Sequence, residues 1–279
     1  MIALRRFFRE GPAVGGLAIL AIIVVGAALG PLVWHDSPIA ISHADLGRPL
    51  PPTLGHPLGT DVLGRDELSR AMQGAQVSLT VGVTAMLVAV IVGALYGAIS
   101  GAAGGRTDAV MMRFVDAMLS FPTFFLVITI EALTNNFSLV VIVLVIGLLS
   151  WMGVARLVRA EVLSLREREF VEAARALGAG PARLILRHLL PNSLAPVVVA
   201  GALAIGDNIL VEAGLSYLGL GIQIPTASWG NMLQDALGVV GLQSPWLIFV
   251  PGVLIVLTLL GFNLVGEGLR VAFDRSVQQ

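Results

Sequence analysis

Six long apolar runs, separated by polar connections, constrain this chain more than anything else in it. A bilayer's hydrocarbon core is about 30 Å thick, and an α-helix needs about 20 apolar residues to cross it. Val14–Trp34, Val77–Ser100, Met111–Leu133, Ser138–Val158, Leu194–Leu215 and Trp246–Leu269 each meet that length. The third run is expected to kink near Pro122, and the sixth opens on Trp246, placed as an interfacial anchor. Composition agrees: 56% of residues are hydrophobic and 13% charged, against about 25% charged in soluble domains. The expected fold class is an all-α membrane protein with six transmembrane helices.

Arginine placement orients the helices. There is no lysine, so all 17 cations are arginine. Six spans put both termini on one side. Fourteen arginines lie on that side: at the N-terminus, in the connection after the second span, between Arg156 and Arg187, and at Arg270 and Arg275. Arg48, Arg65 and Arg70 face the other side. The positive-inside rule then makes both termini and the Arg156–Asn192 stretch cytoplasmic. Arg5-Arg6-Phe7-Phe8 followed by an apolar run also fits a secretory or twin-arginine signal. Five further spans and the lack of a small-residue cleavage site favour an uncleaved first helix.

Missing residue types exclude chemistry. Without lysine there is no Walker A lysine and no Schiff-base lysine. Without cysteine there is no disulfide, thiolate nucleophile or thiolate metal site. No HExxH or Gly-x-Ser-x-Gly motif occurs, so an enzyme is not expected. The net charge of −1 does not bring in nucleic acid, and the bilayer is the expected surrounding. Residues 1–76 form an N-terminal tail, first helix and external segment. Residues 77–279 form a five-helix core with a cytoplasmic loop at 159–193 and an external segment at 216–245.

The polar stretch Arg156–Asn192 carries seven arginines between two spans. Ser164-Leu-Arg-Glu167 fits a capping box, predicting a helix over about 165–177 that Gly178 ends in a left-handed turn. Pro181 suits the start of a second short helix with Leu184, Ile185, Leu189 and Leu190 on its apolar face. Ala173 and Ala174 are short enough to enter a partner's groove. Arg168, Glu169, Glu172 and Arg175 flank them for charge pairing, with Phe170 in the same turn. From these residues alone, an interfacial amphipathic helix without a partner stays open.

Glu172-Ala173-Ala174, Gly178 and Leu190-Pro191-Asn192, lying between the fourth and fifth spans, resemble the EAA loop of binding-protein-dependent ABC import permeases. His56-Pro-Leu-Gly-Thr-Asp-Val-Leu-Gly-Arg-Asp-Glu-Leu-Ser-Arg70 resembles the external signature of the C-type subunit in the dipeptide/oligopeptide/nickel branch. Gly214–Gly221, Pro225–Met232 and Phe262–Arg270 are similar to later segments of that subunit. Tyr217 stands where Phe is usual there, and Ala227 where Pro is usual. The resemblance implies a type I importer-like permease with a second homologous permease, two ATP-binding subunits and an external solute-binding protein as partners. It implies ATP and Mg on the partner subunits and no cofactor on this chain. It makes Arg168, Glu169, Phe170, Glu172, Ala173, Ala174 and Gly178 the coupling element. Di- or oligopeptides are the expected solute, with nickel, glutathione or another small solute as the alternative.

Polar residues inside lipid are costly and mark function or interhelical bonding. Asp116, Glu131, Asp207, Asn208, Glu212 and Asn263 lie in or near spans. Arg113 and Asp116 are spaced to pair on one helix. Glu131 and Glu212 are expected near the outer face, within reach of water. Asp207 and Asn208 lie deepest, so they lead the translocation-pathway candidates, with Glu212 and Asn263. An ion-coupled secondary transporter would use Asp207 or Glu131 as a proton relay, with an inverted repeat that is not visible here. Gly93, Gly97 and Gly101 recur every four residues, as in close helix packing. His35, His43 and His56 lie near Asp36 and Asp45 in an external segment, but the spacing matches no metal motif. They are read as loop residues, and His188 as part of the cytoplasmic interface.

Overall fold

The computed structural model describes residues 2–43, 45–134, 138–237 and 243–273. Arg275 and part of the external segment 216–245 lie outside the described residues. The described secondary structure is helical apart from one bridge between Thr60 and Asp66. Five helices match apolar runs: α2 (Gly11–Val33), α3 (Glu67–Ala103), α6 (Leu139–Leu165), α10 (Leu194–Tyr217) and α12 (Trp246–Phe273). A short α1 (Ile2–Phe7) precedes them. The third run is not one rod. It breaks at Phe121-Pro122 into α4 (Gly105–Leu119) and α5 (Thr123–Thr134), bent by 77°.

The glycine stripe sets the helix directions. A Cβ on Gly93 would lie 2.6 Å from the Trp151 carbonyl oxygen, and one on Gly97 would lie 2.3 Å from that of Ala155. Further along, Gly101 meets Val162. Residue numbers rise together on both helices, so α3 and α6 run parallel. The chain must therefore recross the membrane between them, which makes the bent α4–α5 pair a single crossing. Gly82 meets Ile209 while Gly201 meets Met86 and Val90, so α10 runs antiparallel to α3. Gly16 meets Leu264 and Gly268 meets Ala13, so α2 and α12 are antiparallel. Both chain ends, as described, thus lie at the same end as the loop joining α6 to α10.

Two ion pairs fasten α4 to α6 at that end. Asp108 Oδ1 accepts from Ser100 Oγ and from Arg159 Nε, both at 2.6 Å, and Arg159 Nη2 reaches Oδ2 at 2.5 Å. Asp116 pairs with Arg156. The expected Arg113–Asp116 pair is not formed, because Arg156 on α6 takes the carboxylate and Arg113 points outward.

At the opposite end α3 outruns its prediction by ten residues. Its 37 residues span about 55 Å, well beyond the hydrocarbon core, and its first turns sit under a cap. Asp66 caps the helix by accepting from the Ser69 amide at 2.8 Å. Around it lies a buried charge network. Arg65 Nε donates to Asp61 Oδ2 at 2.6 Å. Arg65 Nη2 and Arg70 Nη2 both donate to Asp235 Oδ2, at 2.9 and 2.6 Å. Asp235 ends α11 (Trp229–Asp235), which follows α10. Burial, the largest influence, pushes the Asp235 carboxyl up, against the pull of Arg70 and Arg65. Three indoles brace the cap: Trp34 Nε1 donates to Asp66, Trp229 Nε1 to the Ala71 carbonyl and Trp246 Nε1 to the Thr60 carbonyl. The network holds two guanidiniums against three carboxylates. Glu67 is the surplus acid, 4.0 Å from Arg70 Nε and with Oε1 lacking a hydrogen-bond partner.

Three expectations follow, all read as thermal unfolding in detergent. Gly97→Leu forces α3 from α6 and lowers the midpoint by the equivalent of at least about 1–3 kcal/mol, the usual cost of overpacking. Arg70→Ala strands buried carboxylates at a cost of about 3–5 kcal/mol. Glu67→Gln keeps the shape, puts a neutral amide in place of the surplus acid and leaves the midpoint within error.

Candidate functional site

The loop between α6 and α10 is a helical hairpin. The capping box at Ser164 is not formed: α6 continues through Leu165, so Ser164 lies in its last turn and cannot start a helix. After three residues, α7 (Glu169–Ala176) begins with Arg168 at its N-cap. Glu169 and Glu172 fall in its first turn and Arg175 in its last, which suits the helix dipole. The Ala179 amide donates to the Ala174 carbonyl at 3.0 Å and the Gly178 amide to that of Arg175 at 2.9 Å. This pair of bonds is a Schellman stop, and it requires the left-handed φ of +83° at Gly178. Pro181 then opens α8 (Pro181–Leu184), as expected. A π turn over Ile185–Leu189 and α9 (Leu190–Asn192) lead into α10.

The two alanines of the loop face opposite ways. Ala174 is 9% exposed and packs with Val171, Val162, Leu184 and Leu189 beneath the hairpin. Ala173 is on the outer face with Arg168, Glu169, Phe170, Glu172 and Arg175. Leu177, just before the turn, is 89% exposed. Sequence reasoning did not single it out, although an apolar residue ending a charged helix beside its stop glycine was a usable signal. The outer face therefore joins short and apolar side chains with charges of both signs. The π turn brings His188 to a partly buried position on the hairpin.

The interior candidates separate into two groups. Asn208 is buried, and its Oδ1 accepts from Ser150 Oγ on α6 at 3.0 Å. Glu212 is fully buried, accepting from Ser78 Oγ on α3 at 2.8 Å and from Ser216 Oγ at 2.7 Å. Ser78 Oγ also receives the Trp229 amide at 3.4 Å. Glu212 therefore does not reach water as expected. It joins α3, α10 and α11, through serines that the sequence did not flag. Glu131 is likewise buried. Asp207 and Asn263 face out of this chain's bundle, with Asn263 Nδ2 bonded to the Leu259 carbonyl at 2.9 Å. Adjacent residues on a helix point about 100° apart, so Asp207 and Asn208 cannot share a face.

In the segment between α2 and α3, His35 and His43 are exposed and stand apart from any group of possible ligands among the described residues. His56 is different: its Nδ1 lies 2.9 Å from Asp66 Oδ1, and Asp36 approaches the same point.

Comparisons with known proteins agree with this geometry. Residues 93–279 match the family of binding-protein-dependent transport system inner membrane components. Residues 1–52 match the N-terminal TM domain of oligopeptide transport permease C. The chain is 42% identical over 275 residues to the oligopeptide transport system permease protein OppC of Haemophilus influenzae, covering 98% of this chain and 87% of that one. It is 42% identical to the Escherichia coli K12 protein of the same name, covering 98% and 89%. It is 38% identical to the dipeptide transport system permease protein DppC of Bacillus subtilis, covering 99% and 86%. These matches set aside the secondary-transporter and enzyme readings. By near-complete coverage and by its helix order, the chain belongs to the inner membrane components of binding-protein-dependent transport systems.

Proposed function

We propose that this permease carries di- or oligopeptides inward across a prokaryotic plasma membrane, driven by ATP bound and hydrolysed with Mg on two partner subunits. A second homologous permease completes the pathway, and an external binding protein delivers the solute to the capped end. The names of its relatives support the peptide assignment. The arginine excess supports placing both termini and the hairpin in the cytoplasm.

The observation that carries the coupling role is the uncovered outer face of α7. It projects Phe170, Glu172, Ala173 and Leu177 at the end where both termini lie. Closure of the ATP-binding subunits pushes on this knob, and α6 and α10 carry the displacement into the bundle. Asp207 and Asn263 are the pathway residues in this reading, because they face out toward a second permease. Asn208 and Glu212 hold the helices in register instead.

Reconstituted complex with its binding protein tests the coupling. Gly178→Trp and Glu172→Arg are expected to cut peptide uptake at least ten-fold while basal ATP hydrolysis and membrane insertion persist. Normal uptake in both variants removes α7 as the coupling element. Competition of labelled tripeptide uptake by unlabelled peptide, glutathione and nickel reads the solute. Inhibition by nickel or glutathione but not by peptide overturns the peptide assignment.

A further inference from the structure

We propose that Asp36, His56 and Asp66 form a binding site for a divalent cation of the zinc class, which fastens the outer end of α2 to the start of α3. One ligand atom from each residue lies within 4.8 Å of the other two. They come from three separate places: just after α2, the middle of the external loop, and the N-cap of α3.

Asp66 and His56 are placed by bonds that leave one donor atom of each turned to the common point. Asp66 is 4% exposed. Its Oδ2 is occupied by Trp34 Nε1 at 2.9 Å and by the Ser69 amide and hydroxyl at 2.8 and 2.9 Å. Oδ1 is left to face His56. Such outer bonds fix and orient metal-ligating carboxylates. His56 sits in a closed turn, its carbonyl accepting from the Thr53 and Gly59 amides and its amide donating to Thr53 Oγ1. Asp36 is exposed at the rim, so its carboxylate is free to swing.

Charge and donor type choose the ligand. Two carboxylates meet one imidazole, so even a protonated His56 leaves one negative charge over. A divalent cation balances the pair of carboxylates with His56 neutral. One nitrogen and two oxygens suit zinc and its transition-metal neighbours, whereas magnesium and calcium favour oxygen alone. Ligand atoms that all lie within 4.8 Å of one another are close enough to share one ion at bonds of about 2.0–2.2 Å after side-chain adjustment, and the open side of Asp36 leaves a coordination position to water. The cation would then close the loop between α2 and α3, which is otherwise held at this point by the Trp34–Asp66 and His56–Asp66 contacts.

The test is titration of the full-length chain, in the assembly it co-purifies with, after chelator treatment in detergent. Zinc chloride is the probe, magnesium chloride the comparison, and calorimetry and thermal unfolding the readouts. One zinc per copy is expected, with a raised unfolding midpoint and no response to magnesium. Asp36→Asn and His56→Gln should each weaken zinc binding at least ten-fold and abolish the midpoint rise. Asp36→Asn alters an exposed side chain, so its zinc-free midpoint should match the parent; it decides the matter if His56→Gln does not fold. Absence of zinc binding, or undiminished binding by Asp36→Asn, overturns the site. The second outcome assigns the zinc to His35, His43, His188 or a partner subunit.

Discussion

The seam between α3 and α6 governs this architecture. Lipid gives two apolar helices no hydrophobic reason to associate, so they must gain from close van der Waals packing and from polar contacts. Gly93 and Gly97 let backbone approach backbone, with carbonyl oxygens filling the space a side chain would take. Because the two helices are parallel, the intervening chain has to return across the bilayer, and it does so in two bent pieces. Parallel alignment also brings the C-terminus of α6 to the end where α3 finishes. The hairpin is hung there.

The two ends of the bundle are built by different means. At the end that carries the hairpin, bidentate Arg159–Asp108 and exposed Arg156–Asp116 pairs clip α4 onto α6. At the opposite end, charges are drawn largely out of water: Arg70 and Asp61 are each 1% exposed. Buried ion pairs offset their desolvation only with good geometry, and their best-attested use is to specify one arrangement over others. Here they fix α11 against the first turns of α3, and the indoles of Trp34, Trp229 and Trp246 fill the remaining gaps.

Much of this was legible in the sequence, and the reasons for the exceptions are physical. Length and hydropathy located all six crossings, and Pro122 marked the bend. The regular spacing of Gly93, Gly97 and Gly101 announced a packing face. Gly178 announced a helix stop. The capping box failed because Ser164 satisfies a local pattern while the packing of Val158 and Val162 keeps α6 going past it. Pathway candidates were chosen by depth, but depth does not say which way a side chain points. Asp207 and Asn208 differ by a third of a helical turn, and only the packing partners separate them. Asp235 bonds to residues 165 or more positions away, a separation that no local pattern encodes.

The two arms of the hairpin differ in build. On one side, three residues separate α7 from 27 residues of uninterrupted α-helix in α6. On the other, a four-residue helix, a π turn and a three-residue helix containing Pro191 precede α10. Widened hydrogen bonding and a missing amide make the second arm the more compliant. A push on the hairpin would thus reach α6 as translation of a stiff rod but reach α10 through a joint. One input at the hairpin would be divided into two unequal movements, and the helices on either side of it would shear past one another rather than shift as a block.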